Sequence, residues 1–307
     1  MTKIAIVGAG LAGLAAARML KQAGRDCIIF DKSRGIGGRM ATRRVGQLAF
    51  DHGAQFFTAR GAAFKASVEA WLRHGQAASW YEDNFVGTPG MTAPARALAA
   101  GLTVEANRTV TGLRRDGPGW RLLYGDEQSS QFQTVLFAVP APQLVPILAT
   151  AGIIFPQVEP VRFAPCWALM LAYDTALDMA EHHYRSREGV IAWAALNGHK
   201  PGRDAIPETL VIHANPEWSR THLESEPPAV TKLLLAAARQ ELGIEAKPVY
   251  SAAHRWRFAL VETPAGVDCI HDATLQIGAC GDWCLGARVE AAFDSGEALA
   301  RRVIANS

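Results

Sequence analysis

The apolar positions at the start of the chain form two short runs with a helical stretch between them. Lys3–Val7 alternates and then runs apolar, as a buried parallel strand does. Leu14 to Ala23 is rich in Ala and Leu and stops at Gly24, which predicts a helix. Cys27–Phe30 reads as a second buried strand, closed by Asp31. Phe64, Val68, Trp71 and Leu72 recur at i, i+4, i+7 and i+8, the stripe of an amphipathic helix ending near Gly75. Thr109–Arg114, Trp120–Tyr124 and Thr134–Val139 read as three strands of a β-meander, with Asp116-Gly117-Pro118-Gly119 as the first turn. Pro140, Pro142 and Pro146 mark a crossover. Beyond it Cys166–Tyr173, Val190–Leu196, Thr209–Ala214 and Val249–Phe258 read as strands. Pro228–Leu242 reads as a helix with Leu233, Leu234, Ala237 and Leu242 inward. Leu275–Cys280 is a last apolar strand, and Glu290–Ile304 a last helix with Phe293 and Leu299 on its apolar side.

This order predicts an α/β chain with an α+β second part. A Rossmann-like dinucleotide-binding domain joins a substrate domain built on a mostly antiparallel sheet backed by helices. The first domain is discontinuous, over 1–60, 101–145 and 259–307. The substrate domain takes 61–100 and 146–258.

Between the first strand and helix stands Gly8-Ala9-Gly10-Leu11-Ala12-Gly13, a G-x-G-x-x-G run. Gly8 allows the tight turn, Gly10 lets a pyrophosphate approach the backbone, and Gly13 lets the helix pack close to the strand. The helix N-terminus offers free N–H groups and a positive dipole end to phosphates. Asp31 is placed to accept hydrogen bonds from a ribose diol. A second glycine loop follows, Lys32-Ser33-Arg34-Gly35-Ile36-Gly37-Gly38-Arg39, in which Arg39 can neutralise a diphosphate. A plain NAD dehydrogenase re-enters a helix soon after the acid, so this loop points to FAD. Near the other end Asp282 closes an apolar strand, where ligands of α/β sheets collect. The helix after it can turn its N-terminus toward a flavin pyrimidine.

Together these motifs resemble the flavin-containing amine oxidase superfamily. G-x-G-x-x-G…D-K…G-x-G-G-R looks like its N-terminus, and Asp51-His52-Gly53-Ala54-Gln55-Phe56-Phe57 like its next flavin-contacting segment. Cys280-Gly281-Asp282, with Val289-Glu290-Ala291-Ala292 and Ser295-Gly296, looks like its C-terminal flavin motif. The compact length, G-A-Q-F-F and G-D-W point to the renalase-like branch. The resemblance implies FAD contacts from Gly8, Gly10, Ala12, Gly13, Asp31, Lys32, Gly38, Arg39, Gln55, Phe56, Phe57, Val110, Asp282 and Val289. It implies that the meander is inserted between the parallel strands and covers the adenine side. It also places Met91 in a substrate-side loop. The activity implied is oxidation of 2- or 6-dihydro-NAD(P) to NAD(P)+. Hydride passes to flavin N5, and O2 then reoxidises the flavin and yields H2O2. The alternatives are an amine oxidase or desaturase on the same fold and a non-catalytic flavin-binding sensor.

Composition narrows the classes. Lys+Arg 31 against Asp+Glu 29 leaves a net charge of +2, which gives no basic footprint for nucleic acid. No apolar run of about 18 residues predicts a membrane span. The N-terminus lacks a secretory pattern, and five cysteines without a CxxC pair fit reduced thiols, so a cytoplasmic location is expected. No H-E-x-x-H or zinc spacing is present, so no metal is expected, and no G-x-S-x-G elbow suggests a serine hydrolase. The candidate substrate contacts are Arg288, Met91, His254 and Trp256. His254 and Trp256 share one strand face, and Arg288 lies where it can meet a phosphate or carboxylate. Trp167, Trp193, Trp256 and Trp283 are candidate walls for a flat substrate. No side chain is assigned as a catalytic acid or base, because a flavin takes the hydride itself. None of the seven lysines (Lys3, Lys21, Lys32, Lys65, Lys200, Lys232, Lys247) has the strand-centre placement of the superfamily's flavin-facing lysine. The covalent-flavin pattern S-G-G-C is missing. Noncovalent FAD and a non-amine substrate are therefore expected. The oligomeric state is not legible.

Overall fold

The computed structural model describes residues 4–179 and 181–306, so Lys3 of the first expected strand lies outside the described residues. Six strands form one sheet in the order Ile270–Asp272, Ile277–Ala279, Thr134–Phe137, Ile4–Val7, Cys27–Phe30 and Thr103–Glu105. Neighbours are parallel except the first pair, an antiparallel hairpin at the edge. The central strands Ile4–Val7 and Thr134–Phe137 are buried along their whole length because both faces are covered.

That burial corrects the meander. Thr134–Phe137 is not its third strand but runs beside Ile4–Val7 in the parallel sheet. The meander consists of Gly112–Asp116, Gly119–Tyr124 and the two-residue Glu127–Gln128, and Val110 precedes it. A continuous apolar run marks a strand covered on two faces, and the short polar strand that closes the meander has no hydrophobic signature.

The first helix runs Leu11–Gln22, three residues earlier than expected, so Ala12 and Gly13 sit in its first turn. Across it lies the last helix, Val289–Ala305, so close that a Cβ on Gly296 would stand 2.1 Å from the Ala12 carbonyl oxygen. The helix Ala62–Arg73 turns Phe64, Val68 and Trp71 into the same core as Ile4, Ile6, Leu14 and Phe293. This part of the segment placed with the substrate domain by sequence thus shares its core with the dinucleotide domain. The opposite face of the sheet is covered by the meander and the helix Ala141–Ala149.

A second sheet holds five antiparallel strands in the order His183–Arg185, Ile191–Leu196, Glu208–Ala214, Arg162–Tyr173 and Tyr250–Thr263. One face packs Trp167, Leu169, Leu171 and Ile212 under the helix Pro227–Leu242. That helix turns in Val230, Leu234, Ala237 and Ala238. Leu233, expected inward, is 47% exposed, because the apolar stripe is phased one residue later. On the other face Met170, Ala172 and Val211 are covered by Phe50 of the ribbon Arg43–Val45/Leu48–Phe50. The next row along that face is left open to the dinucleotide domain.

Candidate active site

Between the two domains lies a cleft of ≈ 2070 Å3, about twice the upper range of a small-molecule pocket. Its first wall is the glycine cradle. Gly8 stands at φ +109, the turn that leads off the strand, and a Cβ there would meet the Ala138 carbonyl oxygen at 2.6 Å. Gly13 is packed shut: a Cβ would lie 2.0 Å from the Gly8 carbonyl oxygen. Gly10 is the opposite case, since a Cβ there would meet nothing within 4 Å. It opens onto the cleft, beside Gly37, with which it forms a parallel bridge. The Asp31 carboxylate accepts from the Ala9 N–H (2.6 Å) and the Ser33 N–H (2.7 Å), so it ties the first glycine loop to the second while facing the cleft. Phosphate-sized space at a helix N-terminus, framed by backbone and a strand-end acid, fits the pyrophosphate and ribose of FAD.

Arg39 and Asp282 meet rather than standing apart. The guanidinium donates two hydrogen bonds of 2.7 Å to the carboxylate and a third, of 3.0 Å, to the Ala259 carbonyl. Arg39 and Asp282, named separately from the sequence, thus form a bidentate pair lining the cleft.

The second wall is one row of the second sheet. Arg185 pairs with Trp193, Trp193 with His213, His213 with Ala168, and Ala168 with His254. Directly opposed residues point to the same face of an antiparallel sheet, so this row is a single surface across all five strands. Trp193 packs against Phe56 at 5.5 Å and stacks on His183 at 5.4 Å. At the far end His52, His254 and Trp256 form a ring triad with centroids 4.5–5.0 Å apart, and the Trp256 indole donates to the His52 carbonyl at 2.9 Å. Burial depresses the pKa of His213 to about 4. Burial, with Arg43 adding, does the same to His254, at about 4, and His52 is pushed to about 3 by burial, His254 and Arg43. At neutral pH His52, His213 and His254 are uncharged.

Beneath the Phe56 side lies a buried polar cluster that the sequence did not suggest. Lys200 is 2% exposed, and its ammonium donates to Gln55 Oε1 at 3.0 Å and lies 3.6 Å from Asp51. Arg203 donates to the same carboxylate at 2.6 Å, and the Gln55 amide donates to the Asp51 carbonyl. Burial lowers the Lys200 pKa to about 8 against the pull of Asp51. Burial alone would raise Asp51, but Lys200, Arg203 and the Met91 and Thr42 donors hold it below the usual range. Lys200 lies outside the strands, as the sequence reading has it, yet it reaches Gln55 of the expected flavin-contacting segment. In Lys200-Pro201-Gly202 a lysine followed by two turn residues looks like an exposed corner, and only the tertiary fold turns it inward.

The cleft collects Gly8, Gly10, Ala12, Asp31, Lys32, Gly38, Arg39, Gln55, Phe56, Phe57, Val110, Asp282 and Val289, together with Arg288, His254 and Trp256. Gly13 lies behind it as packing. Met91 is fully buried, with its thioether accepting from the Gly87 N–H, and lies outside the cleft, which corrects its placement as a substrate contact. Of the four candidate tryptophans, Trp193, Trp256 and Trp283 line the cleft, whereas Trp167 faces the core on the other side of the sheet. His213, Arg43 and Arg185 were not singled out by sequence. The alternation Thr209, Val211, His213 was the one signal for His213. Among the described residues no three His, Cys, Asp or Glu side chains are grouped to hold a metal ion, and no helix is long and apolar enough to cross a membrane.

The charge of the cleft is one-sided. Eleven Lys and Arg side chains line it against two carboxylates, Asp31 and Asp282, in a chain whose net charge is only +2.

Residues 6–71 match the NAD(P)-binding Rossmann-like domain family, and residues 65–304 match the flavin containing amine oxidoreductase family. A protein of Mycobacterium tuberculosis assigned as a flavin-containing monoamine oxidase is 43% identical over 53 residues, 17% of this chain and 12% of that protein. A 4,4'-diapophytoene desaturase of Staphylococcus aureus is 43% identical over 51 residues, 17% of this chain and 10% of that protein. These matches span about a tenth of each relative's length. The structure of a protein assigned as a protoporphyrinogen oxidase from Exiguobacterium sp. 255-15 superposes over 100% of this chain and 99% of its own. The TM-score is 0.83, at 12% identity. Putrescine oxidase, in a structure with bound putrescine, gives a TM-score of 0.67 at 14% identity over 99% of both chains. At these identities the likeness is one of fold.

Proposed function

The chain belongs to the flavin containing amine oxidoreductases, a family of FAD enzymes, and from that premise we propose that it is a renalase-like oxidase of isomeric dihydronicotinamides. The substrate would be 2- or 6-dihydro-NAD(P), and the products NAD(P)+ and H2O2. When bound, FAD supplies the hydride acceptor and delivers the electrons to O2. The protein's part is to bind and orient. Gly10 and the first turn of the helix Leu11–Gln22 present backbone N–H groups to the pyrophosphate, while the Gly8 N–H is held by the Phe30 carbonyl, and Asp31 meets the ribose. Trp193, Phe56 and the His52–His254–Trp256 triad offer an uncharged, ring-lined floor against which a flat donor can stack.

The observation that carries this reading is the cationic lining of the cleft: Arg39, Arg108, Arg255 and Arg257 are ion-paired, and seven of its eleven cations have no ion-pair partner among the described residues. FAD accounts for part of it. The remainder suits a second polyanion, such as a dinucleotide, and repels a protonated amine. With pKa values of about 3 to 4, His52, His213 and His254 are weak proton acceptors, which agrees with a donor that gives up a hydride without first losing a proton.

Lys200 favours a second reading, amine oxidation, because a lysine buried against Gln55 stands one residue behind the cleft surface. Anaerobic stopped flow separates the two. Isomeric dihydro-NAD is expected to bleach the flavin band rapidly, ordinary 4-dihydro-NAD(P)H to react poorly, and benzylamine and polyamines not at all. Faster bleaching by an amine would overturn the proposal in favour of the second reading. No bleaching by any donor would leave a flavin-bound sensor.

A further inference from the structure

The row that faces the cleft contains one permanently charged side chain, and it stands at the end. In Arg185–Trp193–His213–Ala168–His254 the two histidines are neutral, Ala168 is small and Trp193 is apolar. Arg185 lies on the edge strand His183–Arg185, is exposed, and lines the cleft. Among the described residues its guanidinium has no hydrogen-bond or ion-pair partner, unlike Arg39 with Asp282 or Arg257 with Glu224. Its cross-strand neighbour Trp193 carries a buried indole N–H that also lacks a partner. Beside Trp193 stand Phe56 and His183, and the Arg185 backbone lies one strand spacing, about 4.8 Å, from that of Trp193, at the edge of this aromatic platform.

We propose that Arg185 and the Trp193–Phe56 platform form a subsite for a flat ring bearing an anionic group, with Arg185 the specificity-determining residue for that anion. This rests on the dihydronicotinamide reading and deepens it, since the anion is then the 5′-phosphate of the nicotinamide nucleotide half. The physical reason is the division of labour along the row. Uncharged rings accept a flat, neutral donor over the floor. An arginine at the rim, its donors unused and its head still wet, can fork onto a phosphate without first leaving a carboxylate. Lysine in its place would keep the charge and lose the fork.

The test uses the FAD-loaded full chain and two pairs of probes. Reduced isomers of nicotinamide riboside and nicotinamide mononucleotide, which differ by the phosphate alone, are compared in anaerobic flavin reduction. The wild type is expected to reach half-maximal rate with the mononucleotide at ~10- to 100-fold lower concentration than with the riboside. In Arg185→Ala that preference should vanish with the limiting rate little changed, and Arg185→Lys should restore part of it. Equal preference in wild type and Arg185→Ala overturns the proposal while leaving the dihydronicotinamide reading intact. If neither reduced probe bleaches the flavin, that reading fails, and the subsite is tested by binding. Oxidised nicotinamide mononucleotide and benzoate are then titrated against the visible flavin spectrum. Arg185-dependent binding of the mononucleotide sustains the subsite. Binding of benzoate alone reassigns the anion to a carboxylate and overturns the phosphate assignment, and no Arg185-dependent binding of either overturns the subsite.

Discussion

Gly10 and Gly13 belong to one motif and do unlike things, and a single methyl group tells them apart. Gly10 has φ −74 and ψ 177, which alanine adopts without strain, and its added Cβ would enter open cleft. Gly10→Ala is therefore expected to leave the stability of the FAD-free protein unchanged in urea melts and to weaken FAD binding by ~10-fold or more, read by titration. Gly13→Ala puts a Cβ 2.0 Å from a backbone oxygen that cannot move aside without shifting the strand. Its expected outcome is loss of soluble, folded protein before any effect on FAD can be measured. A destabilised Gly10→Ala apoprotein, or a stable Gly13→Ala, would contradict this division. The motif was legible as letters. The buried lysine was not: burial of Lys200 depends on Asp51 and Gln55, some 150 positions away in the chain, and no local pattern connects them.

At the scale of elements, the second sheet converts alternation into a wall. Period-2 placement predicted that His254 and Trp256 share a face. It did not reveal that His213 and Trp193 lie on the same row, because strand order and register are set by pairing partners distant in sequence. The wall carries a pH signature. Histidines titrate near 6.5 in the unfolded chain, whereas His213 and His254 are held at about 4 and His52 at about 3. Between those values the unfolded state binds more protons than the folded one, so stability falls as pH drops from about 6.5 toward 4 and is nearly unaffected above 7. Chemical denaturation across pH 4.5–7.5 should show that slope, and His213→Asn should reduce it by close to one proton. A variant with the parent's slope would mean that His213 is not held neutral by the fold. The meander shows the same limit of local reading. Thr134–Phe137 and the meander strands are all apolar enough to be strands, and only the pairing with Ile4–Val7 assigns the first to the parallel sheet.

For the whole molecule, cofactor and fold are coupled through the cleft. FAD held by the glycine cradle would occupy the cleft between the two domains, and a ligand that binds only the folded state stabilises it by about 2.7 kcal/mol at a hundredfold excess over its Kd. The purified protein is expected to be yellow, to release free FAD on denaturation, and to melt at a higher temperature as FAD is added. Flavin that stays with the denatured chain would refute noncovalent binding, and a melting temperature indifferent to FAD would refute the coupling. Local regularities of the sequence determined much of this. Glycine spacing, a strand-end acid and apolar runs are short-range codes for backbone geometry, and they established a dinucleotide domain, its cofactor and a second, antiparallel domain. The tertiary structure decided which side chains meet across the cleft. It joined Arg39 to Asp282, withdrew Met91 into the core, turned Lys200 inward, and aligned Arg185, Trp193, His213 and His254 on one row. Those encounters depend on strand order and on helices from opposite ends of the chain closing over one sheet, and so are set by long-range packing rather than by any window of sequence.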